Sequence, residues 1–145
     1  MGLFRHKFIV LGAFAAAIIS APAMAEAGWT DFDGTIPDDA ISGGLENEHT
    51  LPVCRVEIEG KMHPGKVHVF MCHFAFDGAE YLSDEFEVLT KAESDIEVWS
   101  ALAVTDEADV IRSDNNADET LQFPVCRAAW KGGLHPGKLE GAKCH

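Results

Sequence analysis

No apolar run in this chain is long enough to cross a membrane as a helix: the longest, Phe8–Ile19, has 12 residues, and about 20 are needed. Basic residues are scarce, with 11 Lys and Arg against 24 Asp and Glu and a formal net charge of −13. Such a surface repels phosphate backbones and anionic headgroups, which argues against nucleic acid or a charged membrane as partner. Catalytic signatures are missing as well: there is no nucleophile elbow, no zinc-protease helix motif and no phosphate-binding glycine loop, and nothing selects one pair among the carboxylates for acid–base work. The chain therefore reads as a non-enzyme. No Cys-x-x-Cys or His-x-x-x-His occurs, and Asp114-Asn115-Asn116-Ala117-Asp118 fails as a calcium loop because Glu119 stands where glycine is required. Neither a metal nor another cofactor is expected.

What is present begins with a leader. Arg5 and Lys7 precede the apolar run, and Ala23-Met24-Ala25 places small residues around a cut before Glu26. Residues 1–25 are thus read as a signal peptide and 26–145 as one exported, periplasmic or secreted domain with no membrane span. No cysteine precedes Cys54, so none is available for lipid attachment at the cut.

An internal repeat organises the rest. Pro52-Val53-Cys54-Arg55 recurs as Pro124-Val125-Cys126-Arg127, and His63-Pro64-Gly65-Lys66 as His135-Pro136-Gly137-Lys138, both shifted by 72 residues. Of the 23 positions in 51–73, 11 are identical in 123–145, which chance does not produce. Upstream, Trp29 aligns with Trp99 after a two-residue slip, giving units of about 29–89 and 99–145, the second read as incomplete.

Pro52, Cys54, Val56 and Ile58 alternate with Val53, Arg55, Glu57 and Glu59, the period of a strand. Val67–Met71 reads as a second strand, with further ones around Phe86/Val88 and Ile96/Val98 and a loop over Thr105–Glu119. Glycine and proline interrupt the pattern at short intervals. The expected fold is all-β, a small sandwich or barrel-like domain built from two pseudo-symmetric repeats.

His-Pro-Gly-Lys reads first as a type II turn, with proline setting φ and glycine accepting the positive value. A turn requires neither histidine nor lysine beside it, so their recurrence points to a binding site at Lys66 with His63, and at Lys138. A lysine held on a rigid element offers directed donors for hydroxyl-rich ligands. The four cysteines, Cys54, Cys72, Cys126 and Cys144, fall into two pairs of equal spacing, as expected of disulfides in an oxidising compartment. A hairpin centred on His63 favours Cys54–Cys72 and Cys126–Cys144, while pairing Val56 with Met71 suits the apolar faces better and breaks that register. Bridges between units, Cys54–Cys126 and Cys72–Cys144, stay open.

Trp29, Pro37–Gly44, Val53-Cys54-Arg55, Pro64-Gly65-Lys66-Val67, Cys72, Phe76-Asp77-Gly78-Ala79-Glu80 and Phe86-Glu87-Val88-Leu89, in this order, resemble the tandem DM-nine repeat family. The resemblance implies a mostly β fold of two repeats and, from animal members, lectin activity toward mannose-type sugars. It also implies a ligand set of the Pro-Gly-Lys lysine with an acidic residue after the glycine pair: Lys66 with Glu46 or Glu48, and Lys138 with Asp118. The expected function is a carbohydrate-binding module without catalysis. A structural or protein-interaction module of the envelope, a metal-binding protein and a hydrolase are the alternatives, and a homodimer is left open.

If the leader is cut as read, N-terminal sequencing of the exported protein starts at Glu26. Met1 on soluble protein contradicts the compartment argument.

Overall fold

Two-residue turns join most neighbouring strands among the described residues. In the computed structural model, residues 28–91, 112–113 and 122–145 are described. The leader, Trp99, Ile96/Val98, Asp118 and all of the expected Thr105–Glu119 loop except Arg112 and Ser113 lie outside them.

Ten strands form: β1 (Gly28–Asp31), β2 (Ser42–Glu46), β3 (His49–Ile58), β4 (Lys61–His68), β5 (Met71–Phe76), β6 (Ala79–Ser83), β7 (Glu87–Thr90), β8 (Val125–Trp130), β9 (Gly133–Glu140) and β10 (Lys143–Cys144). They hydrogen-bond in the order β10-β9-β2-β3-β4-β5-β6, with β7 joining β1 to β3 and β8 joining β9. The fold is all-β, and its form is a strongly curled half-barrel sheet rather than a two-sheet sandwich.

The alternation along β3 is real, but both faces are covered. Cys54 and Val56 pack with Val67, Cys72, Phe74, Phe86 and Val88, while Val53 packs on the other side with Ile41 and Leu89. Strands buried on both faces lose the plain in-out pattern of a half-exposed one. Arg55, on the Val53 face, forks onto both carboxylate oxygens of Glu87 at 2.6 and 2.9 Å, lies 4.6 Å over the Trp29 ring and donates to the Ser113 carbonyl. This planar, bidentate geometry is specific to arginine.

His-Pro-Gly-Lys is not a turn. It lies inside β4, where Arg55 pairs with Pro64 and Cys54 with Gly65, and the β3–β4 reversal falls at Glu59-Gly60, with φ of 52° and 76°. Positive φ at both central residues matches the twist of the flanking strands, whereas a type II turn splays them. Likewise Val67–Met71 is not one strand, because the chain reverses at Val69-Phe70 between β4 and β5. Neither register considered for a hairpin around His63 occurs.

The glycine has another purpose. A Cβ on Gly65 would collide with the carbonyl oxygen of His73 on β5, and one on Gly137 with that of His145. Glycine therefore lets the next segment ride close across the strand. With β5 drawn in, Cys54 on β3 and Cys72 on β5, which flank β4, come to a Cα separation of 6.0 Å and bond; Cys126 and Cys144 bond at 5.8 Å. The within-unit connectivity holds, but the bridges join strands flanking a central one and not the arms of one hairpin. Every pairing of β8 with β9, from Val125 with Lys138 to Trp130 with Gly133, is the β3–β4 register moved by 72 residues.

Gly65→Ala is expected to lower stability by about 2–3 kcal/mol through backbone overpacking, read as a shift in the urea midpoint under non-reducing conditions. An unchanged midpoint contradicts the close-approach account.

Candidate functional site

β2 approaches β9 through another glycine contact. A Cβ on Gly44 would strike the Leu134 carbonyl, and one on Gly43 the Pro136 ring. Leu45 thus pairs with Leu134, and Glu46, at the end of β2, faces His135. The segment after the glycine pair is in this way set against the motif of the other unit.

The two motifs then exchange partners. Lys66 Nζ lies 3.3 Å from Nδ1 of His135, and Lys138 Nζ lies 3.4 Å from Nδ1 of His63. A lysine ammonium only donates, so in each of these contacts the imidazole Nδ1 is the acceptor.

Around Lys66 this sets a cluster of polar side chains in an open groove whose wall is otherwise mostly apolar. Glu80 Oε1 stands 3.4 Å from Lys66 Nζ and 3.5 Å from His73 Nδ1, the pairing of His73 with Lys66 across β4 and β5 having set the two side by side. His135 Nε2 donates to the Trp130 carbonyl at 3.2 Å and faces Glu46 Oε1 at 3.8 Å. His68 Nδ1 reaches the other Glu46 oxygen at 3.9 Å. The groove has a volume of about 370 Å³; its apolar wall includes Phe74, Ala128, Trp130 and Pro136. The Trp130 side chain is largely exposed.

The Lys138 side differs sharply. Lys138 and His63 are both buried, at 4 % and 3 % exposure. Lys138 Nζ lies 4.7 Å over the Phe123 ring and 3.2 Å from Glu140, and His63 is enclosed by Phe74, Phe76 and Phe123. His63 Nε2 is buried without an acceptor among the described residues. Burial lowers the His63 pKa, and the charge of Lys138 lowers it further.

Of the expected site residues, Lys66 lines the groove, whereas Glu46 stands outside its lining, behind His135. Glu48 sits exposed in the β2–β3 turn with φ 68°, and no hydrogen bond or ion pair joins it to Lys66 among the described residues. His63 belongs to the buried Lys138 pair and not to Lys66; Asp118 lies outside the described residues. Sequence reasoning missed His73, His135, Glu80 and Trp130 as groove residues. Glu80 stood in a quoted motif, and His135 is the 72-residue counterpart of His63, which is the signal that was available. Among the described residues no three His, Cys, Asp or Glu side chains converge as metal ligands, and no helix is long and apolar enough to span a membrane.

A curled sheet, strands stapled by two disulfides and a groove lined from two copies of one short motif define an all-β module. The profile of the DM9 repeat family matches residues 46–145, and the chain belongs to that family. Comparison with curated protein sequences gives no significant match.

Because the folded pKa of His63 lies below its ordinary 6.5, the unfolded chain takes up this proton more readily. The contribution to stability is complete above about pH 6.5 and is lost as pH falls below it. Urea midpoints at pH 7.5 and 5 should therefore differ more for the unaltered protein than for His63→Gln; equal differences contradict this assignment.

Proposed function

We propose that this protein is an exported carbohydrate-binding module without catalysis, taking a neutral, mannose-type sugar in the groove beside Lys66. The observation that carries this reading is the Lys66 ammonium, held 3.3 Å from His135 and 3.4 Å from Glu80 at an open groove. Adjacent sugar hydroxyls both donate and accept, so their binding calls for a cationic donor and carboxylate acceptors at set positions. Lys66 supplies the first and Glu80 the second, with Glu46 behind them against His135. The apolar wall beside them suits the C–H face of a hexose, and the volume suits a mono- or disaccharide.

Family membership is compatible with a lectin-like module. Two disulfides and no free cysteine among the described residues accord with an oxidising compartment, as export requires. The burial of Lys138 favours the Lys66 side as the place of binding.

Calorimetry against mannose and its oligosaccharides tests this. Lys66→Ala should weaken binding by about ten-fold or more, since a charge-assisted hydrogen bond contributes about 1.5–3 kcal/mol. Affinity should change little with salt because the ligand is neutral. No heat with the unaltered protein, or equal affinity after Lys66→Ala, contradicts the reading.

A further inference from the structure

Among the described residues, five hairpin turns hold both central residues at positive φ: Asn47-Glu48, Glu59-Gly60, Val69-Phe70, Asp77-Gly78 and Lys131-Gly132. Only glycine, asparagine and aspartate enter this region readily. Four of the turns carry glycine or asparagine in one of the two places. Val69-Phe70 carries neither, and sets a β-branched residue at φ 47° beside phenylalanine at 59°. A β-branched residue there is an outlier.

Burial does not compensate the strain, since Val69 is 73 % and Phe70 64 % exposed. Nor does the hairpin need these residues. The β9–β10 hairpin, 72 positions on, turns through Gly141-Ala142. Strain without a folding benefit is the mark of a position kept for contact with something else.

We propose that the Val69–Phe70 tip is a lipid-contacting wedge that seats in the headgroup region of an uncharged bilayer surface while the groove holds the sugar of a neutral glycolipid in that surface. The sugar half of this statement rests on the carbohydrate reading above. Two side chains offer far less area than the roughly 800 Å² per partner of a stable protein interface. An apolar, partly aromatic tip needs no complementary surface to enter the headgroup boundary. Charge selects the lipid. Met71 follows the tip, Cys72 pairs with Ser83, and Asp84 and Glu85 come next on that side, so carboxylates neighbour the wedge in a chain of net charge −13. His68, the nearest basic group on β4, already faces Glu46. Anionic lipid is repelled by this arrangement and zwitterionic lipid is not.

The tip lies beyond the Lys66 end of the groove, on the same hairpin. Lys66 and His68 lie on one face of β4, and the reversal at Val69 begins about 10 Å beyond Lys66 at the ordinary strand rise, within the reach of a sugar headgroup on a lipid.

The experiment is flotation of the whole protein with phosphatidylcholine vesicles, plain or bearing a mannosyl glycolipid, beside calorimetry with the soluble sugar. The double variant Val69→Gly/Phe70→Ala installs the residues of the second hairpin. It should lose ten-fold or more in affinity for the glycolipid vesicles, keep its affinity for soluble sugar, and melt at the same or a higher temperature because the turn is relieved. Equal vesicle affinity of variant and unaltered protein overturns the proposal. So does a sugar-binding protein that ignores all vesicles, the outcome that points to a protein partner, and so does a variant that melts several degrees lower. If soluble sugar gives no heat while plain vesicles still bind in a tip-dependent way, the wedge stands and the carbohydrate reading fails.

Discussion

The close approach of backbone to backbone at Gly65 and Gly137 is the constraint on which the remaining structure depends. With any side chain there, the His73 or His145 carbonyl has to back away. The cysteines flanking the central strand stand at Cα separations of 6.0 and 5.8 Å, within disulfide reach, alongside that close approach. Curl, staple and groove share one origin: the walls of the groove are β4, β5 and β6 on one side and β8 and β9 on the other, and they face each other because the sheet bends. A bridge closing an 18-residue separation adds about 3 kcal/mol on the chain-entropy view, a large share of the stability of so small a domain.

The second constraint is the exchange of partners between the two motifs. Identical His-Pro-Gly-Lys segments hold the lysine of one beside the histidine of the other, and the outcome depends on surroundings. Lys66 has Glu80 and solvent; Lys138 has Phe123 and enclosure. One pair is thereby accessible to a ligand, and the other is a buried polar contact whose imidazole is held neutral by burial and by its own lysine. The same local chemistry is left open to solvent on one side and packed away on the other.

Much of this was legible in the chain, and the misreadings have physical reasons. The period-two pattern located β3, and equal cysteine spacing pointed to disulfides, whose within-unit connectivity was favoured through a hairpin around His63 that does not form. Pro64-Gly65 misled because dipeptide turn rules weigh local φ preferences, whereas glycine here answers a contact from a neighbouring strand. The turn chemistry sat instead in Glu59-Gly60, a less conspicuous pair. Lys66 could be singled out because its motif recurs beyond what a turn requires. His135 and Glu80 could not be joined to it, since one comes from the other unit across the curled sheet and the other from a strand beside β5, relations that exist only after the sheet has closed. Glu46 was found by its place after the glycine pair, and it reaches the site through His135 rather than through Lys66.

The central claim is that the cross-unit groove at Lys66 is where ligand binds and that its buried counterpart is not. Titrating ¹⁵N-labelled protein with a mannose oligosaccharide and following backbone amide and tryptophan indole shifts tests it directly. The account predicts saturable shifts confined to Lys66, His73, Glu80, His135 and the Trp130 indole, with His63 and Lys138 unmoved. Shifts centred on His63 and Lys138, or none outside the chain termini, contradict it.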